Sequence, residues 1–190
     1  MEKENYFETI KCDDYEVLNL SYHCNRIANT IALNINLQDY IYPPSNKLLK
    51  CKVIYNDEGV LDVVYSEYKK REIKSFRLIY DDNINYSKKY LNRENIDKLF
   101  SQKDEADEII IIKNGFVTDT SIANIAIFDG NNWISSKTPL LEGTTRTRLL
   151  EEKEIFEKDI TVEMLKDAKK IALMNAMIGF DVIEDYSFFL

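Results

Sequence analysis

Positive charge is in short supply in this chain, where Lys and Arg total 25 against 33 for Asp and Glu, a net charge of −8. A protein that grips phosphate backbones needs clustered cations, so the deficit argues against a nucleic-acid partner and for a small-molecule substrate. Histidine is nearly absent: His23 is the single copy, while Cys12, Cys24 and Cys51 form an odd set with no metal-ligand spacing. A zinc centre is therefore hard to assemble, and a Ser-His-Asp triad would have to use His23. Long apolar runs are missing too. The segment Met1-Glu2-Lys3-Glu4-Asn5 carries charge where a leader would be apolar, and no stretch reaches a membrane-spanning length. The expectation is a chain with no membrane partner, working in a reducing cytoplasm. Repeats and low-complexity tracts are absent as well. What is plentiful is core material: 45% hydrophobic and 12% aromatic residues over 190 positions, enough for one large domain or two small lobes.

The pattern divides into two unequal halves. Tyr6 to Ile10 reads as a strand, and Val17 to Leu20 pairs with it across the turn at Asp13-Asp14. Ser21 is placed to cap a helix from Tyr22 to about Asn36, along which Ile27, Ala28, Ile31 and Leu33 recur at roughly helical spacing. Strand-like runs follow at Leu48 to Tyr55, Val60 to Tyr65 and Glu72 to Tyr80, read as a meander of the first half. The polar segment Asp81 to Asn85 is the connection.

In the second half a helix is expected from Arg93 to Ser101, and then the run Ile109 to Ile112, which cannot be amphipathic and must be a strand buried on both faces. Asn114-Gly115 is a strong hairpin signal. The returning strand leads into Asp119, and Asn124 to Phe128 with Trp133-Ile134 forms the next hairpin. Gly143 opens one helix, Thr161 caps another reaching about Lys169, and Ile171 to Met174 is a last buried strand before Gly179-Phe180 turns the chain to its end.

Three features in this order carry chemistry: Lys89 in Lys-Tyr-Leu-Asn-Arg, Asp119 in Asp-Thr-Ser-Ile-Ala-Asn, and the turn Gly143-Thr144-Thr145-Arg146 at a helix start. Each has an ordinary alternative as a solvated lysine, a turn acid and a capped helix. Together they suit pyridoxal 5′-phosphate, which needs an amine to hold it as a Schiff base, a carboxylate against its ring nitrogen and a helix N-terminus for its phosphate. No metal is called for.

The same stretches resemble the class IV aminotransferase family. The family's Lys-aromatic-x-Asn/Asp-Arg pattern falls on Lys89 rather than Lys88, because Asn92 and Arg93 fix the register. Its His-x-x-Arg-aliphatic pattern, which supplies an arginine to the cofactor phosphate, matches His23 to Ile27 and points to Arg26, with His23 structural. Tyr6 to Ile10 is similar to the Phe-Glu-Thr strand that faces the cofactor cavity, and Leu173 to Met177 to the Asn-Ala segment near the substrate. Asp119 stands where the family usually carries glutamate. One methylene shorter, it requires the ring to sit deeper or the strand to lie closer. Asn124 matches a family asparagine and is expected to brace the Asp119 loop by backbone hydrogen bonds. The leading segment that most members carry before the Phe-Glu-Thr strand is not seen in this sequence.

The resemblance implies an α+β fold of two lobes, of the fold type IV, D-amino acid aminotransferase-like kind, with the cofactor in the cleft between them, in a homodimer. Residues 1–80 would form the small N-terminal lobe, 81–85 the connection and 86–190 the C-terminal lobe with the lysine. Lys89 would be catalytic, and Lys89, Arg26, Asp119, Thr144 and Thr145 would hold the cofactor. The wording of the Asp119, Pro139 to Thr144 and Asn175-Ala176 segments most resembles aminodeoxychorismate lyase-like members. That implies conversion of 4-amino-4-deoxychorismate to p-aminobenzoate and pyruvate, a step of folate biosynthesis. The alternatives are an aminotransferase for a small amino acid, or a member that keeps the fold as a binding protein without catalysis.

Overall fold

The computed structural model describes residues 3–189; Met1 and Glu2 of the polar N-terminal segment, and Leu190, lie outside the described residues. Two compact units emerge. One runs as far as Lys70 and takes in Lys88–Asn92; the other holds Arg71–Ser87 and the chain from Arg93 on.

The first unit is a four-stranded antiparallel sheet ordered β2-β1-β3-β4, from β1 (Tyr6–Asp13), β2 (Glu16–Val17), β3 (Leu49–Asn56) and β4 (Gly59–Glu67). Alternation along β1 buries Tyr6, Ile10 and Cys12 in a cluster with Ile27 of helix α1 (Leu20–Ile31) and with Cys51, Val53 and Tyr55 of β3. The helix does not begin as expected. Asn19 takes a left-handed φ of 55° and α1 starts at Leu20, so Ser21 lies inside the first turn. Asparagine tolerates that conformation, and the chain has just left its pairing with β1, where Leu18 N–H donates to Lys11 C=O. The helix also stops at Ile31, short of Asn36, because Ala32 turns left-handed at φ 55°. Thr30 contributes by donating its hydroxyl back to Arg26 C=O, a bond that competes with the helical ladder.

The second unit is built on a sheet ordered β10-β9-β8-β7-β6-β5-β13, with β11 pairing to β8 and β12. Its strands are β5 (Ser75–Tyr80), β6 (Glu108–Lys113), β7 (Phe116–Thr120), β8 (Asn124–Phe128), β9 (Trp133–Ser136), β10 (Ile155–Lys158), β11 (Ile171–Asn175), β12 (Gly179–Ile183) and β13 (Ser187–Phe189); its helices are α2 (Glu94–Phe100), α3 (Thr144–Glu151) and α4 (Val162–Asp167). The isoleucine run behaves as read. Ile109 to Ile112 are all 0% exposed, with Ile110 and Ile112 in one cluster with Val117, Ile125 and Leu173. Asn114 and Gly115 both have positive φ, 52° and 83°, the signature of a type I′ turn between β6 and β7. Thr161 caps α4 by accepting from Met164 N–H, although that helix ends at Asp167, before Lys169.

One strand belongs elsewhere than expected. β5 is not part of a first-half meander: it runs parallel to β6, with Phe76 opposite Glu108, and parallel to β13. Parallel strands need a long crossover, so no local turn signal announces the pair. Among the described residues no helix is long and apolar enough to cross a membrane.

Candidate active site

The first unit holds two of the expected residues, Arg26 on α1 and Lys89 beside β1. Glu8 points to the α1 face, where it is fully buried with His23 and meets Arg26. Arg26 donates from Nε to Glu8 Oε1 at 2.8 Å and from Nη2 to Oε2, while His23 Nδ1 lies 2.6 Å from the same Oε2. Burial opposes a charge on Glu8, but the Arg26 guanidinium and the His23 and Arg26 hydrogen bonds outweigh it and hold the carboxyl at about 2. Burial also holds His23 below its ordinary pKa, against the pull of Glu8. A neutral imidazole donating from Nδ1 leaves Nε2 as an acceptor, and that atom is buried with no hydrogen-bond partner.

Residues next to Lys89 add an edge to β1. Phe7 N–H donates to Lys89 C=O at 3.0 Å, Leu91 N–H to Asn5 C=O at 2.8 Å, and Tyr6 faces Tyr90. Neighbouring side chains then leave on alternate faces. Lys88 Nζ donates to Thr30 C=O in the last turn of α1 at 2.8 Å. Lys89 Nζ goes to the Phe7 ring, 4.5 Å from its centroid. The two lysines that the sequence leaves side by side thus have separate surroundings.

In the second unit Asp119, Asn124 and the loop before α3 interlock. Asp119 and Asn124 are paired residues of β7 and β8. Asn124 Nδ2 donates to Asp119 Oδ1 at 2.7 Å and to Leu141 C=O at 2.8 Å, and Leu141 N–H donates to Asp119 Oδ2 at 2.9 Å. Asn124 braces the loop through its side chain, and only one of these two bonds, that to Leu141 C=O, reaches the backbone. Gly143 closes the lock: a Cβ there would lie 2.0 Å from Asn124 Oδ1. Its φ of −73° is open to any residue, so the requirement for glycine is steric.

Helix α3 begins immediately after Gly143, and no side chain caps it. Its first amides, those of Thr144 and Thr145, are of the kind that bind a phosphate, and both residues are largely buried. Arg146 is structural, donating to Ser135 Oγ at 3.2 Å, Ser136 C=O at 2.7 Å and the Glu157 carboxylate. A carboxylate and an uncapped helix start, joined through Asn124, form a donor set that fits the ring nitrogen and phosphate of pyridoxal phosphate. The sequence reading missed Glu8 as the partner of Arg26. The signal was present, since strand alternation puts Glu8 with Tyr6 and Ile10, and a buried acid needs a cation.

Burial pushes the Asp119 carboxyl up from 3.8 to about 6, against the Leu141 and Asn124 hydrogen bonds and the Arg146 charge. A raised value means that the folded protein binds this proton more tightly than the unfolded chain does. The resulting stabilisation is complete below the unfolded value near pH 4 and is lost as pH rises through about 6. At 1.36 kcal/mol per pH unit, the change is roughly 3 kcal/mol. Asp119→Asn cannot titrate. Urea denaturation should therefore show wild-type stability, minus that of the variant, falling across this window and level above it. A difference that stays flat from pH 4 to pH 7 would mean that the carboxylate is ionised throughout.

The family model for amino-transferase class IV matches residues 65–183. The chain is 37% identical over 184 residues to an uncharacterized protein of Haemophilus influenzae, covering 91% of this chain and 97% of that one. It is similar, at a TM-score of 0.81 and 33% identity, to the crystal structure of a Haemophilus somnus 129pt protein proposed to be a 4-amino-4-deoxychorismate lyase, covering 94% and 99% of the two chains. A hypothetical aminotransferase of Mycobacterium tuberculosis, in its pyridoxal phosphate-bound form, shares the fold at a TM-score of 0.77 and 16% identity, covering 97% of this chain and 81% of that one.

Proposed function

Because the chain belongs to the class IV aminotransferase family, we propose that it is a pyridoxal 5′-phosphate-dependent lyase converting 4-amino-4-deoxychorismate to p-aminobenzoate and pyruvate. The likeness to the Haemophilus somnus protein, at 33% identity over almost the full length of both chains, carries the reading. It is supported by the placing of Lys89 apart from Lys88 and by the Asp119–Asn124–Gly143 interlock. The protein works as a homodimer.

When bound, the cofactor supplies a carbonyl that condenses with amines and a ring that takes up the electrons of a broken C–H bond. Arg26 and the amides of Thr144 and Thr145 would hold its phosphate. Asp119 would pair with its ring nitrogen, and Asn124 and Leu141 N–H orient that carboxylate. A neighbouring cation favours the ionised form of Asp119, so a bound cofactor would draw its pKa below the value set by burial. Lys89 Nζ takes the proton from the substrate ring carbon. The C–O bond to the enolpyruvyl group then breaks and the ring becomes aromatic. The proton returns to the departing methylene carbon, giving pyruvate, so no external acid is consumed.

Incubating the cofactor-loaded protein with 4-amino-4-deoxychorismate should release p-aminobenzoate and pyruvate in equal amounts. An aminotransferase would leave these products unformed and move the amino group of an amino acid onto a keto acid. That result would replace the lyase reading.

A further inference from the structure

We infer that Glu8 is a positioning residue for the phosphate of the cofactor, acting through Arg26; the inference rests on the proposed role of Arg26. The geometry is that of a relay pointing one way. His23 and Arg26 sit one helical turn apart on α1, and both reach the single carboxylate that β1 sends into the space beneath the helix. His23, fully buried, fixes Oε2 and so the rotamer of Glu8. Glu8 in turn takes one N–H from Nε and one from Nη2 of Arg26, which fixes the plane of the guanidinium. Arginine is rich in rotamers, and a fork held by two bonds to one carboxylate keeps its plane in one orientation.

The charge balance leads to the same role. A buried Glu8 carboxylate beside a guanidinium that is only 13% exposed cancels most of its charge at a distance. What Arg26 then offers an anion is directed N–H groups more than a diffuse positive field. Oriented donors discriminate between ligands with and without a phosphate; a field attracts any anion. Without Glu8 the arginine would keep its charge and lose its aim. A structural salt bridge alone would stabilise the unit without favouring any part of the cofactor. The two roles therefore separate in binding.

The test compares dissociation constants for pyridoxal 5′-phosphate and for pyridoxal, which lacks the phosphate, in the full-length protein. Arg26→Ala should weaken the phosphorylated ligand about tenfold or more and leave pyridoxal nearly unchanged, the loss expected for a charge-assisted hydrogen bond. Glu8→Gln should do the same to a similar extent. In an Arg26→Ala background Glu8→Gln should have no further effect on the ratio, because it acts through that side chain. If Glu8→Gln fails to fold, Glu8→Asp keeps the charge but draws the carboxylate back, and should lower the preference for the phosphorylated ligand. A Glu8 variant that leaves the ratio intact while Arg26→Ala collapses it overturns the positioning role and spares the phosphate role of Arg26. An unchanged ratio in Arg26→Ala overturns both.

Discussion

Replacing Lys89 with alanine should lower turnover about 100- to 10,000-fold, the range contributed by a positioned group that moves a proton in the transition state. The same variant should lose the covalent link to the cofactor. In wild-type protein, borohydride reduction followed by peptide mapping should place the cofactor mass on the peptide containing Lys89. Lys88→Ala is the control that the structure provides. Lys88 Nζ spends itself on Thr30 C=O at the end of α1, so its removal should cost roughly 1 kcal/mol of stability and leave the adduct in place. The contrast is sharp because the two residues are adjacent and chemically identical. Only the face on which each leaves the edge of β1 separates them. Cofactor mass retained by Lys89→Ala after reduction would show that another amine holds it.

Gly143→Ala should be the most damaging single methyl group in the second unit. The added Cβ would lie 2.0 Å from Asn124 Oδ1 and 3.1 Å from its Cγ. An exposed asparagine would swing aside. This one is 5% exposed and is held through Nδ2 by Asp119 Oδ1 and Leu141 C=O, so moving it breaks buried hydrogen bonds. Each such group left unsatisfied costs about 1–3 kcal/mol, which puts the variant at roughly 2–4 kcal/mol less stable. For a chain of this size that is a Tm lower by about 5–15 °C. Asn124→Ala should be destabilising alone, yet in that background Gly143→Ala should cost little, because the obstructing atom is gone. Additive losses in the double variant would sink the steric argument. Asp119 would also lose one of its donors in either single variant, so its carboxyl should titrate higher still.

Much of the fold follows from local pattern. Four successive isoleucines left no polar face for β6 to expose, Asn114-Gly115 supplied the two positive φ values of a tight hairpin, and Thr161 supplied a hydroxyl at a helix start. Other elements had no such signal. In β10 only Ile155 is buried, and the strand is held by parallel pairing to β9. The sequence reading also passed over β12 and β13; β13 pairs in parallel with β5, more than a hundred residues earlier. The end of α1 was misjudged because Ile31 and Leu33 continue the apolar rhythm, while the left-handed turn at Ala32 is a backbone event.

The candidate site divides in the same way. By itself the sequence determined which side chains are present in which order: a lysine followed by Asn92-Arg93, an acid five residues before Asn124, and a glycine before two threonines. Motif order is a property of the chain, and chemical type does not depend on folding. Only the tertiary structure decided what surrounds each group. It sent Lys88 to a helix end and Lys89 to an aromatic face, matched Arg26 with a buried carboxylate, and raised the Asp119 pKa by removing its water. The physical reason is that solvation, hydrogen-bond partners and steric limits come from residues distant in sequence. Glu8 and Arg26 are eighteen positions apart, and Asp119 and Leu141 are twenty-two apart. Only folding makes them neighbours.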